Sequence, residues 1–215
     1  AEFYLIDKTS YSVHNANVIK TVYAEDDCIW CGTALGEIYR FDLATRRFTL
    51  FYKYPVELVI YDIVRDADGN LWVSSSKGGY TLTCFTPSGE RKTEFRGLKG
   101  EKLHFSSIRC LAEESPGVLL IGMRSAGLHR YDTRTGELTN FNSSHPERER
   151  RIPSNYISSI LPLKSGDVWV STYGGGIFQL DNQGGILRWV TEKDGLMGGD
   201  ICKLLEGADG NLWMS

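Results

Sequence analysis

The chain has 215 residues, 41% of them hydrophobic and 12% aromatic, and its 24 basic and 27 acidic side chains give a net charge of −3. That composition belongs to a globular domain and excludes a disordered chain, and no Lys/Arg stripe of the kind that nucleic acid selects is present. No uninterrupted apolar run approaches the roughly 18 residues that span a bilayer, and nothing at Ala1 resembles a signal peptide.

In chain order, the first distinctive element is CIWCGT around Trp30, a strand-like apolar triplet followed by a small residue. It returns as NLWVSS around Trp72, VLLIGM around Leu120, DVWVST around Trp169 and NLWMS around Trp213, at intervals of 42, 48, 49 and 44 residues. Self-similarity at that period marks a repeat architecture in which each unit is one four-stranded blade of a β-propeller. The expected fold class is all-β, and the repeat shifts the expected function from catalysis toward binding.

The copy from Glu57 to Gly100 sets the template. Leu58 to Val64 is rich in β-branched and aromatic residues and reads as the innermost strand. Asp66-Ala67-Asp68-Gly69-Asn70 supplies a hairpin, with Asp-Gly giving the positive φ of a primed turn. Leu71-Trp72-Val73 is the second strand, apolar on both faces as befits a sheet packed on either side. Lys77-Gly78-Gly79 turns the chain, Tyr80 to Phe85 is the third strand, Pro87-Ser88-Gly89 turns again, and Glu90 to Phe95 ends the blade. In three other copies an aspartate (Asp42, Asp132, Asp181) falls twelve residues after the centre of the triplet. The Lys77 copy carries two extra residues there, a bulge or a longer turn.

This template places blades at about 17–56, 57–100, 101–151 and 152–199, with a blade remnant at 1–16 and a half-blade at 200–215. Glu2 to Asp7 reads as a third strand, and Asp200 to Ser215 as a first and second strand. The two pieces either complete a fifth blade and close a small ring, or belong to a slice of a larger ring of about seven blades. The slice is favoured, because five blades is the less usual number.

Most chemistry-bearing residues read as packing or turns. Five cysteines are an odd number, so at least one thiol stays free. Cys28 and Cys31 form a CxxC inside a strand, where residues three apart face opposite ways, so they do not form a redox or zinc pair. His129 takes the slot of Tyr39 and Phe178 and reads as an aromatic-sized filler, while His14, His104 and His145 show no metal spacing. Asp66-x-Asp68-x-Asn70 mimics the start of a calcium loop, but its glycine comes too early and no glutamate closes it. No GxSxG, P-loop or HExxH occurs. The alternating Glu147-Arg148-Glu149-Arg150-Arg151 reads first as a solvated loop. No catalytic residue, metal or cofactor is expected.

The residues resemble the two-component regulator propeller repeat. Its pattern runs as an isoleucine-rich strand, Asp-x-x-Gly-Asn-Leu-Trp-Val-Gly-Thr, a Gly-Gly-Leu turn, an aromatic strand ending in Asp, and a final Phe-x-x-Tyr strand. Asp66 to Ser75 and Glu206 to Ser215 match it closely, and Thr191 to Leu196 resembles the Asp-Gly-Leu connection before each blade. The resemblance covers essentially the whole chain. Leu120 replaces tryptophan, and Ser74, Ser171 and Ser215 replace the first glycine.

The resemblance implies a sensor: the periplasmic input of a bacterial hybrid two-component system, tuned to oligosaccharides or another small ligand. The full receptor would add the rest of an ectodomain, a membrane helix, a histidine kinase and a response regulator, and would act as a homodimer. Membrane contact would come only through those other parts. Ligands of such propellers meet the loops at one rim. The turns after the second strand differ most between copies, at Ala34 and Leu35, Ser76 and Lys77, Arg124 and Ser125, and Tyr173 and Gly174. Lys77, Arg124 and Tyr173 suit an anionic sugar, pairing its charge and stacking on its ring. The long connections Asn142 to Tyr156 and Arg96 to Phe105 add Arg148, Arg150 and Arg151 as second candidates. A propeller that only binds protein and a propeller lyase or hydrolase are the rival readings.

Overall fold

The computed structural model describes residues 4–6, 17–75, 82–95, 107–181 and 185–215. Among them the chain is all-β, with four four-stranded antiparallel sheets and one two-stranded sheet. It forms two compact units, residues 1–65 with 69–106 and residues 66–68 with 107–215.

The first unit holds two sheets. One is β1 (Ile19–Ala24), β2 (Cys28–Thr33), β3 (Glu37–Asp42) and β4 (Arg47–Lys53); the other is β5 (Ile60–Arg65), β6 (Leu71–Ser75), β7 (Leu82–Phe85) and β8 (Arg91–Phe95). The second unit holds β9 (Ile108–Ser115), β10 (Val118–Met123), β11 (Leu128–Asp132) and β12 (Leu138–Phe141) as one sheet. A further sheet follows as β13 (Ile157–Pro162), β14 (Val168–Thr172), β15 (Ile177–Leu180) and β16 (Ile186–Val190). A pair then completes the described strands, β17 (Leu204–Glu206) with β18 (Leu212–Met214). Each sheet is a meander in sequence order, as the blade template requires. The predicted hairpin at Asp66–Asn70 forms with Gly69 at φ +80°, a conformation in which a Cβ would clash with the backbone.

The triplets occupy one register throughout. Trp30 lies opposite Tyr23, Trp72 opposite Val64, Leu120 opposite Ala112, Trp169 opposite Leu161 and Trp213 opposite Leu205. Apolar residues on both faces of the second strand bury against the neighbouring sheet. In the first unit Trp30, Ile38, Ile60, Ile63, Val73 and Phe85 form one core. In the second, Leu120 packs with Ile157, Ile160 and Phe178, while Trp169 packs with Ile177, Ile201 and Leu204.

The small residue after each triplet now has a cause. A Cβ on Gly32 would stand 2.5 Å from Ile60 Cγ2, and one on Gly122 would stand 2.7 Å from Ile157 Cγ2. The isoleucine that opens the next sheet passes over this point, so these two positions have no room for a Cβ, and in another sheet the slot holds the small, fully buried Ser171.

Trp213 is 61% exposed and its cross-strand partner Leu205 is 63% exposed, whereas Trp30, Trp72 and Trp169 are buried. The difference is one of covering: no sheet among the described residues lies over that face of β17–β18. Of the strand expected at Glu2–Asp7, only Tyr4–Ile6 is described, and it forms no strand. The turn at Lys77–Gly79 and the connection from Arg96 to Phe105 lie outside the described residues.

Candidate functional site on the turn face of the second unit

The repeated backbone builds the site. In three copies the residue after the second strand donates its N–H to the residue just before the opening isoleucine of the first strand. These bonds are Ala34 to Val18 at 2.9 Å, Arg124 to Ser107 at 3.1 Å and Tyr173 to Tyr156 at 2.9 Å. In the second unit a further bond ties two of these turns to the segment that leads into the next sheet, Gly127 N to the Asn155 carbonyl at 3.0 Å and Gly176 N to the Gly199 carbonyl at 2.9 Å. Within the second unit, variable side chains of consecutive sheets are thereby brought to one edge by repeated main-chain geometry.

In the second unit this edge carries Arg109, Tyr156, Tyr173 and Asp200. The Tyr156 and Tyr173 rings are 5.4 Å apart, and the Arg109 guanidinium lies 5.9 Å over the Tyr156 ring. Tyr173 is half exposed. The Asp200 carboxylate beside it pushes its phenol above the ordinary tyrosine value, by charge and by accepting its hydrogen bond. Ser154 Oγ donates to the Tyr173 carbonyl at 2.8 Å and holds the turn from beneath. Accessible aromatic rings, a guanidinium and a carboxylate on one edge can stack on a sugar ring and hydrogen-bond its hydroxyls and any acid group.

The residues singled out from sequence are divided by the structure. Tyr173 is in this cluster, and Arg124 is exposed at the equivalent turn of the preceding blade. Arg148 and Arg150 form a 3-10 turn, Arg148–Arg150, well along the chain from the rim turns. Arg148 lines a cavity against β16, while Arg150 is held by Glu147 at 3.1 Å. Lys77, His14 and His104 lie outside the described residues. Arg109, Tyr156 and Asp200 escaped sequence reasoning. Each stands one residue before or after an opening isoleucine (Ile108, Ile157, Ile201), a slot that varies between copies as the turn residues do.

The remaining titratable groups are accounted for by packing. His129 is buried, its Nε2 lies 2.7 Å from the Asn140 amide nitrogen, and burial lowers its pKa to about 4. Cys28, Cys31, Cys84 and Cys110 are free and buried, and Cys202 is free and exposed. Burial raises the Cys28 and Cys31 thiols to about 11, with Glu25 adding to the effect at Cys28. Glu25, Asp27 and Cys28 lie close enough to share a metal ion. The Glu25 carboxylate is already committed to Arg65, to the Trp30 indole at 2.8 Å and to the Cys28 thiol at 3.3 Å.

The structure resembles solved β-propellers. The extracellular domain of a hybrid two-component system from B. thetaiotaomicron aligns over 98% of this chain and 34% of its own, with TM-score 0.59 and 18% identity. Virginiamycin B lyase from Staphylococcus aureus, an inactive variant solved with quinupristin, aligns over 95% of this chain and 66% of its own, with TM-score 0.68 and 18% identity. The WD40 β-propeller domain of Doa1 aligns over 91% of this chain and 60% of its own, with TM-score 0.65 and 13% identity. At these identities the likeness is one of fold, and the chain spans about a third of the first of these structures. No curated protein sequence matches the chain. The family model for the two-component regulator propeller matches residues 55–77 and 151–174. The chain thus has the β-propeller fold, and its residues 55–77 and 151–174 match the two-component regulator propeller repeat.

Proposed function

We propose that this chain is the ligand-sensing propeller segment of an extracytoplasmic receptor domain in a hybrid two-component system, and that its turn face binds an oligosaccharide. The observation that carries the reading is the convergence of Arg109, Tyr156, Tyr173 and Asp200 on one edge of the second unit. The repeat family supplies the signalling context. No helix among the described residues is long and apolar enough to cross a membrane; on this reading membrane attachment, kinase activity and dimerisation belong to the rest of the receptor. Binding would bias the packing of blades or subunits between two states, and only an affinity difference between those states would be transmitted.

A glycan array followed by calorimetry on the receptor ectodomain tests this. A saccharide that binds, is recovered unchanged, and loses affinity in Tyr173→Ala supports a sensor. Turnover of the bound sugar would instead make the propeller an enzyme. A second reading, a propeller that contacts only protein, draws on the exposed pair Leu205 and Trp213. Tight association with a protein and silence toward every glycan would favour it.

A further inference from the structure

The connection between the third and fourth sheets does more than span a distance. Its 3-10 turn lies against the outer strand β16, and Arg148, Arg151, Arg188, Leu187, Trp189 and Glu149 line a cavity of about 610 Å³ between them. That volume suits a small molecule. Two guanidiniums of the connection, Arg148 and Arg151, against the one carboxylate of Glu149 make the lining cationic, in a chain whose net charge is −3.

The cations are held in place before any ligand arrives. Arg151 donates its Nη2 to the Pro146 carbonyl at 3.3 Å and its Nε to the His145 carbonyl at 2.6 Å. Arg188, which donates its Nε to Gln179 at 2.9 Å and lies 4.8 Å from the Trp169 ring centre, points to the opposite face of β16 from Trp189 and leaves the anion to the connection. Among the described residues the Arg151 contacts are to carbonyls, which do not neutralise its charge. Each guanidinium keeps further N–H groups for an anion. The Arg148 side chain is exposed.

Trp189 completes the site. It is 46% exposed, although a large indole on a blade normally buries. The same side chain also lines a neighbouring cavity of about 650 Å³, floored by Gly174, Gly175 and Gly199 and walled by Thr191 and Lys193. The indole is therefore accessible from two sides of the connection.

We propose that the cleft between the Arg148–Arg151 segment and β16 is a second ligand site, for a small molecule that carries an anionic group beside a flat apolar ring face. Arg148 and Arg151 bind the anion, and Trp189 stacks on the ring. The carboxylate, sulfate or phosphate can come from an acidic sugar or from a nucleotide. The site does not depend on the turn face, so either assignment can fail alone.

Calorimetric titration of the 215-residue chain with glucuronic acid, glucose 6-sulfate, AMP and neutral glucose tests it. At least one of the three anions should bind saturably, and glucose should not. Arg148→Ala and Trp189→Ala should each weaken that binding about tenfold, Trp189→Phe should retain most of it, and Tyr173→Ala should leave it unchanged. Rising salt should weaken it, since the cations are solvent-facing. Tighter binding of a sugar acid or of AMP supports the site and names the source. The proposal falls if no anion gives saturable heat, if glucose binds as well as the anions, or if Tyr173→Ala abolishes the binding while Arg148→Ala and Trp189→Ala do not change it.

Discussion

Tyr173 stands over Tyr156 with ring centroids 5.4 Å apart and planes inclined by 30°, and the Tyr173 N–H donates to the Tyr156 carbonyl at 2.9 Å. One residue leaves the second strand of the blade and the other precedes its first strand, so a single backbone bond sets the ring pair. Tyr173 is half exposed and the pair is worth about 1 kcal/mol. Tyr173→Ala is therefore expected to cost about 1 kcal/mol or less in urea unfolding. The same change should lower oligosaccharide affinity about tenfold. A loss of stability that matches the loss of affinity would mean that the ring serves the fold.

The tryptophan slot separates covered from uncovered sheets. Trp169 is 6% exposed and Trp213 is 61% exposed. Trp169→Ala should cost about 3–5 kcal/mol, as a large buried ring lost from a core, whereas Trp213→Ala should stay within about 0.5 kcal/mol. Denaturant midpoints of the two variants measure the contrast directly.

Gly122 is the tightest version of the small-residue slot. A Cβ there would meet Cys110 Sγ at 2.4 Å and Ile157 Cγ2 at 2.7 Å. Gly122→Val should destabilise by about 3 kcal/mol, at the upper end of overpacking costs, because neither neighbour has room to withdraw. Gly122→Val with Ile157→Ala should recover part of the loss, and thermal unfolding of the pair checks the coupling.

Acid sensitivity should report on His129. Burial lowers its pKa from 6.5 to about 4, so the unfolded chain binds the proton more readily between these values. Stability from this group is full above about pH 6.5, falls as pH drops toward 4, and totals about 3 kcal/mol. Phe178 occupies the matching register, opposite Val170 as His129 is opposite Ile121. His129→Phe should therefore flatten the stability profile between pH 6.5 and 4. Asp42, whose carboxyl is held down to about 2 by the Thr45 backbone and hydroxyl and by Arg40, acts below that window and should be unaffected.

The thiols should divide by accessibility. Cys202 is exposed and the other four are buried, with Cys28 and Cys31 raised to about 11. At pH 8 a thiol reagent should label Cys202 at once and the remainder only on unfolding. Early labelling of Cys28 or Cys31, measured by mass spectrometry, would contradict the packing of β2.

Much of the architecture was legible because blade formation is local. Consecutive strands pair through short hairpins, so the Asp-Gly turn before Asn70 and the alternation of Leu71, Trp72 and Val73 specify their sheet without distant partners. The residue that follows each triplet was legible as small, yet its reason was not. Gly32 and Gly122 are small because Ile60 and Ile157 of the following sheets cross them, and that contact is absent from any one repeat. Tyr173 could be found as a variable turn residue. Arg109, Tyr156 and Asp200 could not, because they become neighbours only when successive blades are laid side by side.

By itself the sequence determined the period, the strand content and the position of each tryptophan within its sheet, all of which follow from side-chain alternation and turn chemistry over a few tens of residues. Only the tertiary structure decided that Trp169 is covered and Trp213 is not, and that the arginines of the Arg148–Arg151 segment face the exposed Trp189. Burial and charge clustering depend on what lies across an interface. That is set by contacts between repeats, which the local pattern of a single repeat leaves open.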